Sequence, residues 1–125
     1  MSRSAGFLRE QIRACINARL ADPGLSAASI AQQLKLSPST LHRAWAGEPC
    51  SIQETIRAQR LDTARRDLCD PNLVARSVSE IAYSCGFSNA AHFSRAVRAR
   101  FGCSARDLRA EQSVPHQWRK QHARS

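Results

Sequence analysis

The chain has 125 residues, room for one domain or two very small ones sharing a helix. Its 19 Lys and Arg against 10 Asp and Glu give a formal net charge of +9, which favours a polyanionic partner over an acidic small molecule. No apolar run is long enough to cross a membrane and residues 1–6 carry no secretory signal, so the expected location is the cytoplasm.

Residues 5–21 form the first amphipathic helix, with Leu8, Ile12, Cys15, Ile16 and Leu20 on one stripe and Arg9, Arg13 and Asn17 off it. Asp22-Pro23-Gly24 stops it. Ser26 caps a short helix holding Ile30, Ala31 and Leu34, and Lys35-Leu36 makes the turn. Ser37 and Pro38 then supply an N-cap and a proline at the first helical position. That third helix buries Leu41 and Trp45 and ends near Ala46-Gly47.

Ser51 and Glu54 form a capping box for a long helix that buries Ile52, Ile56, Leu61, Ala64 and Leu68. Glu54–Arg57 and Asp62–Arg66 have ion-pair spacing on it, so its arginines are read as scaffold. Residues 70–76 are a short linker. Ser77 and Glu80 make a second capping box, which starts a helix at Val78 with Ile81 and the small Ala82 inward. Gly86 supplies the positive φ of a tight turn, and Phe87 plugs the space beneath it. From the N-cap Asn89 a further helix buries Phe93, Val97 and Phe101 at i, i+4 and i+8. Ser104 caps a last helix through Leu108. The tail, residues 112–125, is polar, basic and aperiodic and is read as disordered, with Trp118 as its one large apolar side chain.

The two halves repeat. Ile30-Ala31 matches Ile81-Ala82, Leu34 matches Cys85, Lys35 matches Gly86, and Leu36-Ser37 matches Phe87-Ser88. After one extra residue in the second copy, Leu41 aligns with Phe93, Arg43 with Arg95 and Trp45 with Val97. The expected fold is therefore all-α, about seven helices, with two helix-turn-helix subdomains joined by a long linker helix. Because lysine stands where the second copy has glycine, the first turn must do without glycine's freedom and is expected to differ slightly in geometry.

The run I-A-x-x-x-G-F-S-x-x-x-x-F-S-R from Ile81 to Arg95, followed by F-G-x-S from Phe101 to Ser104, resembles the signature of the AraC/XylS family of bacterial transcription regulators. The resemblance covers roughly residues 7 to 111, in the family's DNA-binding portion. Within it the first helix-turn-helix unit spans 7–48, the linker helix 51–69 and the second unit 77–111. Two positions depart from the family pattern, Ala105 for proline and Val97 for phenylalanine. The resemblance implies sequence-specific binding of double-stranded DNA and regulation of transcription, with RNA polymerase as a further partner. It also implies a separate effector or dimerisation domain, which these 125 residues do not contain.

A recognition helix anchors one face and shows the other to base edges. With Leu41 and Trp45 inward, Ser39, His42, Arg43 and Ala46 fall outward. With Phe93 and Val97 inward, Ala91, His92, Ser94, Arg95 and Arg98 fall outward. The resemblance places base or phosphate contacts at these helix positions. Neither Arg43 nor Arg95 has an acid at i±3 or i±4, which weakens the alternative of a surface ion pair; for His42 and His92 a solvated surface is an equal reading. Ala90 and Ala91 fit close approach to the backbone or to thymine methyls, with less sequence information. With a rigid helix between them, the two recognition helices would enter successive major-groove segments about 34 Å apart.

The five cysteines, Cys15, Cys50, Cys69, Cys85 and Cys103, form no C-x-x-C pair and the histidines complete no zinc spacing. They are read as free thiols. No catalytic constellation, cofactor loop or metal cluster is found, so no enzyme activity and no cofactor are expected. Two other readings stand beside the main one. The first is an architectural DNA-binding protein with little sequence preference. The second is the DNA-binding module of a larger effector-responsive or repair protein, which in the repair case requires an activated cysteine.

Overall fold

A computed structural model describes residues 4–110. The tail at 112–125, with Trp118, and residue 111 at the end of the expected domain lie outside them. Among the described residues there are seven α-helices and no strand. In chain order they are α1 (Ala5–Ala18), α2 (Ala27–Leu34), α3 (Pro38–Trp45), α4 (Ile52–Leu68), α5 (Val78–Ser84), α6 (Ala90–Phe101) and α7 (Ala105–Ala110), with one 3₁₀ turn at Pro71–Leu73. None of these helices is long and apolar enough to cross a membrane. The chain falls into two compact units that divide within α4, after Arg60.

The helix starts follow from local hydrogen bonding. Ser26 accepts the Ser29 amide, while the Ser29 hydroxyl accepts the Ser26 amide in return. Ser51 and Glu54, Ser77 and Glu80, and Ser104 and Asp107 repeat that exchange with a carboxylate at the third helical position. Each cap satisfies amides that the helix cannot, worth about 1 kcal/mol apiece.

In the first unit α1 packs against α2 and α3. Leu8, Ile12 and Ile16 of α1, Ile30 and Ala31 of α2, Leu41, Ala44 and Trp45 of α3, and Ile52 and Ile56 from the start of α4 form one buried cluster. The first helix ends at Ala18, three residues short of its expected end. Arg19 leaves the helix and binds Asp22 and Gln33. Arg60 then takes the carbonyls of Leu20 and Asp22, at 2.9 and 2.6 Å, in place of helical amides.

The second unit is built on Leu61, Ala64 and Leu68 from the end of α4. Against them lie Ile81, Ala82, Phe87, Phe93, Val97, Ala105 and Leu108. Phe87 meets Phe93 edge-on at 4.9 Å, as a plug beneath the turn should. Arg109 of α7 reaches back to the carbonyls of Leu73, Val74 and Arg76 and so ties the linker down. That helix runs two residues beyond Leu108.

Two expectations are corrected. Asp62 does not pair with Arg66 on its own helix. It receives both Nε and Nη2 of Arg100 at 3.0 Å, a planar two-point contact that a lengthwise i,i+4 pair cannot match. Arg66 instead donates to Thr63. Nor does the Lys35 turn differ in kind from the Gly86 turn. Lys35 sits at φ 57° and ψ 44°, fully left-handed, and Gly86 at φ 102°. The bonds match: Leu36 N to Ala31 O at 2.8 Å against Phe87 N to Ala82 O at 3.1 Å, and Lys35 N to Gln32 O at 3.2 Å against Gly86 N to Tyr83 O at 3.1 Å. The open carbonyls at each helix end dictate the turn, and the residue type only sets its strain.

Candidate nucleic-acid interface

Each unit presents the second helix of its helix-turn-helix with one face anchored and the other bare. In α3, Ser37 accepts the Thr40 amide at 3.2 Å and Pro38 opens the first turn. Leu41, Ala44 and Trp45 are buried, and the Trp45 indole donates to the Cys50 carbonyl at 2.8 Å. That rotation leaves Ser39, His42, Arg43 and Ala46 exposed together on the opposite face. His42 and Arg43 lie in the last turn, where the helix dipole favours positive charge.

In α6, Asn89 accepts the His92 amide at 2.9 Å and sets the start. Phe93 and Val97 are buried, so Ala91, His92, Ser94, Arg95 and Arg98 are exposed. All eight sequence-predicted contact residues therefore lie on exposed helix faces, three on α3 and five on α6. Val97, the smaller residue at its position, is completely buried, and Ala105 stands at the first residue of α7.

The arginines on these faces are not equivalent. Among the described residues the guanidinium groups of Arg43 and Arg95 have no ion-pair or hydrogen-bond partner. Arg100 on the same helix as Arg95 is committed to Asp62 and also lies 5.8 Å from the Phe101 ring. Arg98 lies between these cases. Asp107 is held below the ordinary carboxylate range mainly by the Ser104 amide and hydroxyl, and Arg98 adds a smaller favourable field. An unpartnered guanidinium on a helix face is free to spend its planar donors on phosphate or on guanine O6 and N7.

The last residue of α3 and that of α6 each carry an aromatic ring covered by an arginine from another helix, a feature the sequence did not reveal. Arg13 of α1 stands 5.0 Å from the Trp45 ring, and Arg65 of α4 stands 5.1 Å from the Phe101 ring. Partners 32 and 36 residues apart leave no local signal for either contact.

The thiols are dispersed. Cys15 and Cys85 are buried, Cys50 is exposed, and none of the five is in a disulfide. Burial, with Asp67 adding to it, pushes the Cys85 thiol up to about 11, so it stays protonated at neutral pH, unlike an activated nucleophile.

Comparison with known proteins agrees with this geometry. A family model described as a helix-turn-helix domain matches residues 30–111. The transcriptional activator NphR of a Rhodococcus species is 32% identical over 114 residues, 91% of this chain and 30% of that protein. The HTH-type transcriptional activator RhaS of Escherichia coli is 39% identical over 82 residues, 65% of this chain and 28% of that protein. The chain thus spans under a third of the length of these relatives. Among solved structures, an AraC-type transcriptional regulator from Chromobacterium violaceum superposes with a TM-score of 0.73 at 27% identity, covering 86% of this chain and 94% of that one. The C-terminal domain of the response regulator AraT from Geobacillus stearothermophilus shares the fold, with a TM-score of 0.77 at 23% identity over 87% of this chain and 88% of that one. Two anchored helices with bare basic faces, the helix-turn-helix match and these relatives together assign the chain to the AraC-type helix-turn-helix family of DNA-binding transcription regulators.

Proposed function

We propose that this chain binds double-stranded DNA sequence-specifically in the bacterial cytoplasm and regulates transcription, with α3 and α6 each entering a major groove. The observation that carries this reading is the pair of repeat-equivalent arginines, Arg43 and Arg95, exposed and unpartnered on helices whose opposite faces are buried. In this assignment Arg43 and Arg95 read bases, and each good bidentate contact to guanine contributes about 1–3 kcal/mol of discrimination. His42, His92, Ser39 and Ser94 supply further polar contacts, Ala91 packs near the backbone or a thymine methyl, and Arg98 neutralises a phosphate. The relatives named as transcriptional activators support a regulatory role, and contact with RNA polymerase is part of this proposal.

Salt dependence tests the reading most directly. Each neutralised phosphate adds about −0.9 to the slope of log K against log salt, and use of both units gives a slope on the order of −4 to −7. Arg98→Ala should flatten that slope by about one and weaken cognate and random duplexes alike. Arg95→Ala should hit the cognate duplex harder. An affinity for duplex DNA that hardly changes with salt, or no binding at low salt, would refute the reading.

A lower-specificity role for the second unit draws on one observation. Ala90 and Ala91 leave the first two positions of α6 without polar side chains, whereas Ser39 stands at the second position of α3. Binding-site selection should therefore return a sharper motif for the half read by α3.

A further inference from the structure

The first unit contains a charge cluster that the exposed face of α3 does not use. Arg9 and Arg13 stand one turn apart on α1. Arg9 Nε donates to the Ala44 carbonyl at 3.1 Å and lies 3.6 Å from Glu48 Oε1. Arg13 pairs with the same carboxylate while covering Trp45. The Glu48 side chain is only 15% exposed. Gly47 completes the arrangement: a Cβ there would stand 2.9 Å from Arg9 Nη2, so its absence leaves room for the guanidinium. Apart from Glu10, 3.7 Å from Arg13 Nε on α1 itself, the partners of the two arginines belong to the last turn of α3 or to the three residues after it.

This placement matters because α3 has eight residues, too few to hold its own shape or direction. Ser37 fixes its start, and Leu41 presses it onto the core. Apolar contacts are non-directional and tolerate small rotations about the helix axis. A hydrogen bond to the Ala44 carbonyl is directional and removes that freedom at the other end.

We propose that Arg9 is a positioning residue for DNA readout, holding the C-terminal turn of α3 so that Arg43 and His42 meet the duplex at a fixed angle. The proposal rests on the reading of α3 as a recognition helix. Arg9 itself makes no contact with DNA in this arrangement. It acts through Ala44, the residue directly after Arg43.

Two variants approach the contact from opposite sides. Arg9→Met keeps the apolar stem and removes both polar contacts. Gly47→Ala leaves Arg9 intact and displaces its guanidinium, the movable end of a flexible side chain. Each is measured in the full chain for melting temperature, for affinity to a selected cognate duplex and a random-sequence duplex, and for salt slope. Both variants should bind the cognate duplex about five- to tenfold more weakly, the lower part of what one misaligned bidentate contact loses. Random-duplex affinity and slope should stay at wild-type values. Arg9→Lys, which can face Glu48 but cannot also span to Ala44, should fall between. An unchanged cognate-to-random ratio in both variants, whatever the melting temperature, makes Arg9 purely structural and overturns the proposal. A slope flattened by about one overturns it too, because Arg9 would then touch a phosphate itself. If the wild-type chain prefers no sequence, the recognition-helix reading fails first and takes the proposal with it.

Discussion

The turn at Lys35 and the turn at Gly86 close with the same hydrogen bonds, yet one does so with a side chain and the other without. The difference shows what selects a left-handed residue. The carbonyls of Ala31 and Ala82 need donors from five residues on, and only a left-handed step brings the Leu36 and Phe87 amides round to them. The surroundings decide whether a side chain is tolerated. Lys35 is exposed and its chain runs into solvent, whereas Gly86 is buried.

The comparison breaks most visibly at the residue after each turn. Phe87 is buried on Phe93, while Leu36 is only partly covered. Phe87→Ala should cost about 3–5 kcal/mol and Leu36→Ala about 1–2 kcal/mol, read by denaturant unfolding. Equal losses would mean that the two plugs carry the same load. Next in size come Gly86→Val and Lys35→Val. Both place a β-branched residue at positive φ, so both should destabilise by about 1–3 kcal/mol, with Gly86 at the upper end because it is also buried. A harmless Lys35→Val would show that the first turn can relax out of its left-handed geometry.

Lys35→Gly sharpens the same point in the opposite direction. Relief of strain, about 1–2 kcal/mol, exceeds the entropy that glycine loses, about 0.5–1 kcal/mol, so melting temperature should rise slightly. A fall would indicate that the lysine side chain contributes a contact of its own.

The smallest effect separates the caps. Those of α2 and α3 pair serine with a hydroxyl residue, Ser29 or Thr40, whereas α4 and α7 use Glu54 and Asp107. Both carboxyls are held below their ordinary range by hydrogen bonds from Ser51 and Ser104, first from the backbone and then from the side chain. Their folded pKa values lie below the unfolded ones, so the stability they add is complete above about pH 5. It is lost as pH falls through the depressed values. Protection of the Ser51 and Ser104 amides against exchange, relative to their intrinsic rates, should fall in acid before that of Ser29 and Thr40 does. Simultaneous loss of protection at all four would point to global unfolding instead.

Local chemistry made most of the fold legible. Serine and asparagine caps placed the starts of six of the seven helices, α2 to α7, and the 3.6-residue period placed Leu41, Phe93 and Val97 inward and the candidate contact residues outward. Contacts between distant residues stayed hidden. The end of α1 depends on Arg60, some 40 residues later. Asp62 has Arg66 at a plausible spacing in sequence but Arg100 in space. Arg9 read simply as a residue off the apolar stripe, because its partners at Ala44 and Glu48 are fixed only when α1 and α3 pack. Lys35 is left-handed although lysine disfavours positive φ, because satisfying the Ala31 carbonyl outweighs residue preference there.

The Arg109 clasp bears on how the chain is made. The ties described above for the first unit, including the hold of Arg60 on Leu20 and Asp22, lie within its first 60 residues. The linker carbonyls of the second unit wait for Arg109, 33 to 36 residues further along the chain than their own positions. At bacterial elongation rates that interval is on the order of seconds. A released chain cut just short of Arg109 would therefore hold a finished first unit and a second whose lead-in segment is open to proteases.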